Sequence, residues 1–149
     1  MNAFARLAMI VVAVALYGCA PPPGARDEFN IRLTAGPRNA GQIGEASFAS
    51  QGDATSIVLT LSGVSAQVSQ PVHLYTYIHQ GTCGNLSPKP AYSLNDVVLA
   101  RAMSGASSGF TLDKLAPVPL QKLRSGGYAI VVRTQAPDFD AEMFCGNVR

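Results

Sequence analysis

Metal, acid–base or nucleophilic chemistry in this 149-residue chain would have to come from two histidines, three cysteines and one short acidic run. His73 and His79 are the only imidazoles, and they sit at alternating positions of one run, six residues apart. At about 3.3 Å per residue a regular strand separates them by roughly 20 Å, too far for one ion to join both. His79 with Tyr77, two positions earlier, is the remaining candidate, a weak surface site for Cu(II). Met103 and Met143 offer soft donors for Cu(I), although isolated methionines more often fill packing gaps. Asp138, Asp140 and Glu142 alternate, and carboxylate oxygens are what Ca²⁺ takes. The same alternation serves equally as a solvated strand edge that discourages edge-to-edge pairing. No Gly-x-Ser-x-Gly elbow and no His-Glu-x-x-His pair occurs. The expectation is therefore no catalytic residue, no resident metal and no enzyme activity. His73, Tyr75 and Tyr77, joined by Tyr92, are instead expected on an outward face, as an aromatic surface for a partner protein or a glycan.

The cysteines point to an address. Met1–Arg6 carries a single charge at Arg6, Leu7 to Leu16 is entirely apolar, and Tyr17-Gly18-Cys19 follows. A membrane-spanning helix needs roughly 20 apolar residues, and this run is about half that, as in the core of a secretory signal. Leu16-Tyr17-Gly18-Cys19 resembles the bacterial lipobox, whose terminal cysteine receives the acyl chains. The competing reading is an ordinary signal cut at Ala13-Val14-Ala15, which has the small-x-small form. Three cysteines are an odd count for an exported chain. If Cys19 is acylated, Cys83 and Cys145 remain, either as a bridge in an oxidising compartment or as two buried thiols. Residues 1–18 are thus expected to be a lipoprotein signal peptide, 19–28 a lipidated cysteine with a proline-rich tether, and 29–149 one folded domain. In the tether, Pro21-Pro22-Pro23 favours a stiff extended spacer and Asp27-Glu28 keeps it solvated. Ala20 follows the anchor in place of an aspartate, and in a diderm bacterium the resemblance to sorted lipoproteins implies the outer membrane.

Charged residues make up 13% of the chain and hydrophobic ones 48%, part of the latter being the signal. Removing Arg6 leaves ten of the eleven Lys/Arg against nine Asp/Glu. A net charge near +1 with no basic cluster excludes a nucleic-acid or anionic-membrane surface as the main partner. Attachment to a membrane rests on the lipid.

From Phe29 onward the dominant period is two. Ile57, Leu59 and Leu61 alternate with Val58, Thr60 and Ser62. Val72, Leu74, Thr76 and Ile78 alternate with His73, Tyr75, Tyr77 and His79, and Tyr128, Ile130 and Val132 with Ala129, Val131 and Arg133. Each predicts a strand with one face on a core. Phe29–Leu33, Ile43–Ala49, Val97–Ala102, Phe110–Leu115 and Glu142–Val148 are weaker strands, and Leu120–Leu123 is a short helical turn before Gly126. Turn signals at Gly52-Asp53, Gly63, Gly81, Ser107-Ser108-Gly109 and Gly126-Gly127 separate them. Seven or eight short strands at this spacing predict an all-β, antiparallel Greek-key sandwich.

Three segments carry a family resemblance. Tyr77-Ile78-His79-Gln80-Gly81-Thr82-Cys83-Gly84 resembles the His-x-His-x-Gly-Thr-Cys signature of CHRD-type domains, which share features with Cu/Zn superoxide dismutases. Gly126-Gly127-Tyr128-Ala129-Ile130-Val131-Val132-Arg133 is similar to the Gly-Gly-Tyr-Ala-Ile-x-Val-His strand, and Phe144-Cys145-Gly146-Asn147-Val148 to the terminal Cys-Gly strand. The resemblance implies a dismutase-like Greek-key sandwich and a Cys83–Cys145 disulfide. It also implies a degenerate metal site. Tyr77 stands for the first copper histidine and Arg133, a fixed cation, for another. No histidine follows His79 to supply zinc, and Glu142 replaces the arginine that steers superoxide. The expected protein is a non-enzymatic envelope lipoprotein with a binding or structural head. Copper buffering at His79 is the alternative, and dismutation comes third.

Overall fold

The computed structural model describes residues 27–64, 71–105, 108–134 and 142–149. Among the described residues ten strands run in chain order: β1 Glu28–Ala35, β2 Gly44–Gln51, β3 Ala54–Leu61, β4 Tyr75–Thr82, β5 Asn85–Leu86, β6 Tyr92–Ser93, β7 Arg101–Ala102, β8 Phe110–Ala116, β9 Tyr128–Arg133 and β10 Glu142–Val148. One short helix, α1 Leu120–Ser125, lies between β8 and β9. All pairings are antiparallel, in the order β5-β4-β9-β10-β1-β2-β3-β8-β7, with β6 also on β4.

β1 is the seam between two layers. Glu28 to Leu33 pair with β2, and then Thr34 and Ala35 pair with β10. Gly36 continues the approach, its amide donating to the Met143 carbonyl at 2.7 Å. A Cβ there would lie 2.6 Å from the Glu142 carbonyl oxygen, so only glycine admits this crossing. The chain passes between layers after β3, before β7 and through α1, which gives the Greek-key connectivity.

The period-two pattern explains the packing. Phe48, Ile57, Leu59 and Leu112 from one layer meet Leu74, Ile78, Ile130, Val132 and Phe144 from the other in a single core cluster. Each is fully buried or nearly so, and burial of such a side chain contributes about 1.5–3 kcal/mol. In α1, Leu120 and Leu123, one turn apart, close the end of the core.

Two expected strands are shifted. The run Val72–His79 does not form one strand; pairing with β9 begins only at Tyr75, opposite Arg133. Upstream, His73 bridges Leu99, and the Leu74 amide donates to the Val98 carbonyl. The 97–102 segment therefore splits its pairing between this stretch and β8, where only Arg101 and Ala102 register. β5 and β6, two residues each, carry too little pattern to be visible in the sequence.

One core-facing position of β8 carries a charged side chain. Lys114 alternates with Leu112 and Ala116 on the inner face of β8, opposite Ile57, and is 6% exposed. Its Nζ donates to the Val97 carbonyl. Burial pushes its pKa down to about 8, with Asp96 opposing the shift. Between about pH 8 and 10.5 the unfolded chain then binds the proton that the folded chain has released, so stability rises with pH across that window. Lys114→Met keeps the aliphatic stem and removes the charge. It is expected to raise stability at pH 7, by on the order of 3 kcal/mol at most, and to remove that part of the alkaline rise. Denaturant midpoints of the two proteins at pH 7 and pH 10 read both effects.

Candidate functional site

The residues singled out in the sequence meet on the outer face of β4 and β9. Strand alternation and register put Tyr75, Tyr77 and His79 on this face of β4, with Ala129, Val131 and Arg133 beside them on β9. The face is not open. The chain after β4 turns at Gly81 and Gly84 and folds back over it. Gly81 has φ +105°, and a Cβ there would stand 2.2 Å from the Asn85 carbonyl oxygen, so the turn requires glycine.

This flap is fixed along its length. Cys83 is bonded to Cys145 of β10, with Cα atoms 5.9 Å apart. The Cys83 amide donates to Asn147 Oδ1 at 2.8 Å. Farther on, the Ser87 amide donates to the Gln80 carbonyl, Ala91 to Ile78 and Leu94 to Thr76, at 2.8 to 2.9 Å. Beneath it Ala129, Val131 and Cys145 form a second small apolar cluster, with Cys83 and Leu86 packed on top.

The covering corrects the expectation of an exposed aromatic face. Tyr77 is 5% and His79 6% exposed, while His73 and Tyr75 are half-buried. The rings of Tyr77 and His79 meet edge to face at 6.3 Å. Tyr92 does not join them: it packs against the main core, 6.1 Å from the Tyr128 ring. The alternation at Tyr77 and His79 is that of a strand buried on both sides, one side by the sandwich and the other by the flap. A sequence signal for this existed in Gly81-Thr82-Cys83-Gly84, whose glycines and cysteine turn the chain and staple it down.

His79 has a defined tautomer. Its Nδ1 lies 2.9 Å from the Ser87 carbonyl oxygen, which can only accept, so Nδ1 carries the hydrogen. In the neutral ring the lone pair then sits on Nε2, the arrangement in which ligating histidines are commonly held. The other donors do not converge on it. Met143 is buried in the main core, and Met103 is an exposed residue after β7. Glu142 opens β10, in register with Arg133. Among the described residues no group of three or more His, Cys, Asp or Glu gathers as a metal site. Cys19, Asp138 and Asp140 lie outside the described residues.

A depression of about 400 Å³ is lined by Ala49, Ser50, Gln51 and Ser56 at the β2–β3 end. It contains no titratable side chain. Among the described residues no helix is long and apolar enough to cross a membrane. Comparison of the chain with protein-family models, with curated proteins and with solved structures found no match.

Proposed function

We propose that this chain is a lipid-anchored protein of the bacterial cell envelope, held through Cys19 at the outer membrane facing the periplasm, with a non-enzymatic binding or structural head. The observation that carries this reading is the pairing of the cysteines. Cys83 and Cys145 are bonded to each other, which leaves Cys19 as the one remaining cysteine, placed directly behind the apolar run Leu7–Leu16. An oxidised pair fits an exported protein, and acylation accounts for the third cysteine. The resemblance to CHRD-type and dismutase domains is a degenerate one. It rests on three segments, two of which the disulfide joins.

A second reading, copper binding, is favoured by one observation, the Nδ1–H of His79 held on a backbone carbonyl. Metal analysis of the purified head separates the two. We expect no stoichiometric copper or zinc and no dismutase activity above that of free metal. One equivalent of copper that His79→Ala removes establishes the copper reading instead. Tyr77→His with Arg133→His puts three imidazoles on one face of β4 and β9, and a rise in copper affinity is expected from that variant.

A further inference from the structure

We infer that the end of the sandwich formed by α1 and the β2–β3 turn faces the lipid bilayer, with the Ile43 end held away from it; this rests on the acylation of Cys19 proposed above. The partner is the membrane surface beneath the anchor.

The exit point of the tether is fixed. The Asp27 carboxylate takes hydrogen bonds from Gln121 Nε2 at 2.5 Å and Arg124 Nη1 at 3.0 Å, both on α1. Its backbone carbonyl accepts from the Ser50 amide at 2.9 Å, one residue before Gln51, which pairs with Ala54 across the β2–β3 turn. The Arg124 guanidinium then lies over the Phe29 ring, 4.6 Å from its centroid. The tether therefore leaves the domain beside α1.

The opposite pole is equally well defined. Ile43, 69% exposed, precedes β2, and its carbonyl accepts from the Ser62 amide beyond the end of β3. Asp27 is level with Ser50, seven residue steps along β2 from Ile43, which sets the exit point and the far pole roughly 24 Å apart. Only eight residue steps join Cys19 to Asp27, a reach of about 25 Å as a polyproline-type spacer and about 29 Å at full extension. Bringing Ile43 to the bilayer would require the tether to run back along the sandwich and spend almost all of its polyproline reach. Contact at the α1 end requires no stretch at all.

The chain contains no tryptophan, so a single introduced Trp reports on one site alone. Full-length lipidated protein carrying Lys122→Trp on α1, or Ile43→Trp at the far pole, is reconstituted on phosphatidylethanolamine–phosphatidylglycerol vesicles containing headgroup-dansylated phosphatidylethanolamine. Lys122 and Ile43 are both exposed, so neither change disturbs the core. Energy transfer from Lys122→Trp should exceed that from Ile43→Trp several-fold. A vesicle-bound protein with equal or reversed transfer overturns the orientation and leaves the anchor standing. A protein that carries no lipid and stays in the supernatant overturns both. Inserting twenty Gly/Ser residues after Pro23 should bring the two signals together, since a flexible linker adds about 25 Å of average reach. A gap that survives the insertion overturns the tether as its cause.

Discussion

Removing the Cys83–Cys145 bond is expected to lower the stability of the folded head by about 4 kcal/mol, the chain-entropy value for a sequence separation of 62 residues. Domains of this size are stable by only about 5–15 kcal/mol, so this one bond supports a large part of the margin. The double variant Cys83→Ala, Cys145→Ala should show the loss as a lower denaturant midpoint. Cys145 is buried under the flap, and Cys83 packs on the same small cluster as Ala129 and Val131. A bonded sulfur offers no thiolate, so neither cysteine should be alkylated until a reductant is added. The flap itself should stay closed in the variant. Its amides at Ser87, Ala91 and Leu94 donate to β4 carbonyls independently of the sulfur bond, and their hydrogen exchange should remain protected until global unfolding. Rapid labelling of both thiols in the folded, non-reduced head would contradict the pairing.

The second large effect is all-or-none. Cys19→Ala removes the only acylation site proposed, and the protein should lose its lipid and appear either as uncleaved precursor or as a chain cut elsewhere. A single acyl chain gives only marginal membrane binding and stable anchoring needs more than one, so the proposed reading implies a multiply acylated terminus. Among the described residues no helix is long and apolar enough to span a bilayer. Cell fractionation of wild type and variant reads the change directly. The wild type should sediment with the outer membrane, and recovery solely with the inner membrane would contradict the sorting inferred from Ala20.

Much of the fold was legible because a half-buried strand writes its burial into alternate residues. Tyr128–Arg133 and Glu142–Val148 have the boundaries expected, and Ile57–Leu61 lies inside β3. What escaped the sequence has a physical reason in each case. The outer side of β4 was expected to face solvent because polar and aromatic residues alternate there. Burial of Tyr77 and His79 depends instead on the flap, held down by tertiary bonds: the Cys83–Cys145 bridge, Asn147 on the Cys83 amide, and the Ser87, Ala91 and Leu94 amides on β4 carbonyls. Lys114 was hidden for the opposite reason. A lysine between Leu112 and Ala116 reads as an interruption of the apolar face, yet β8 places it inward and the Val97 carbonyl receives its amine. The break at Val72–Leu74 was invisible because the pattern stays in phase through it while the pairing partner changes from the 98–100 stretch to β9. The candidate site was thus legible as a set of residues but not as a buried one.

Intact-mass measurement of the mature protein purified from its membrane tests the lipoprotein assignment most directly. The expected mature chain begins at Cys19 and carries the added mass of covalently attached acyl chains. A mature chain beginning at Val14 or Leu16, with no added lipid mass, would contradict it.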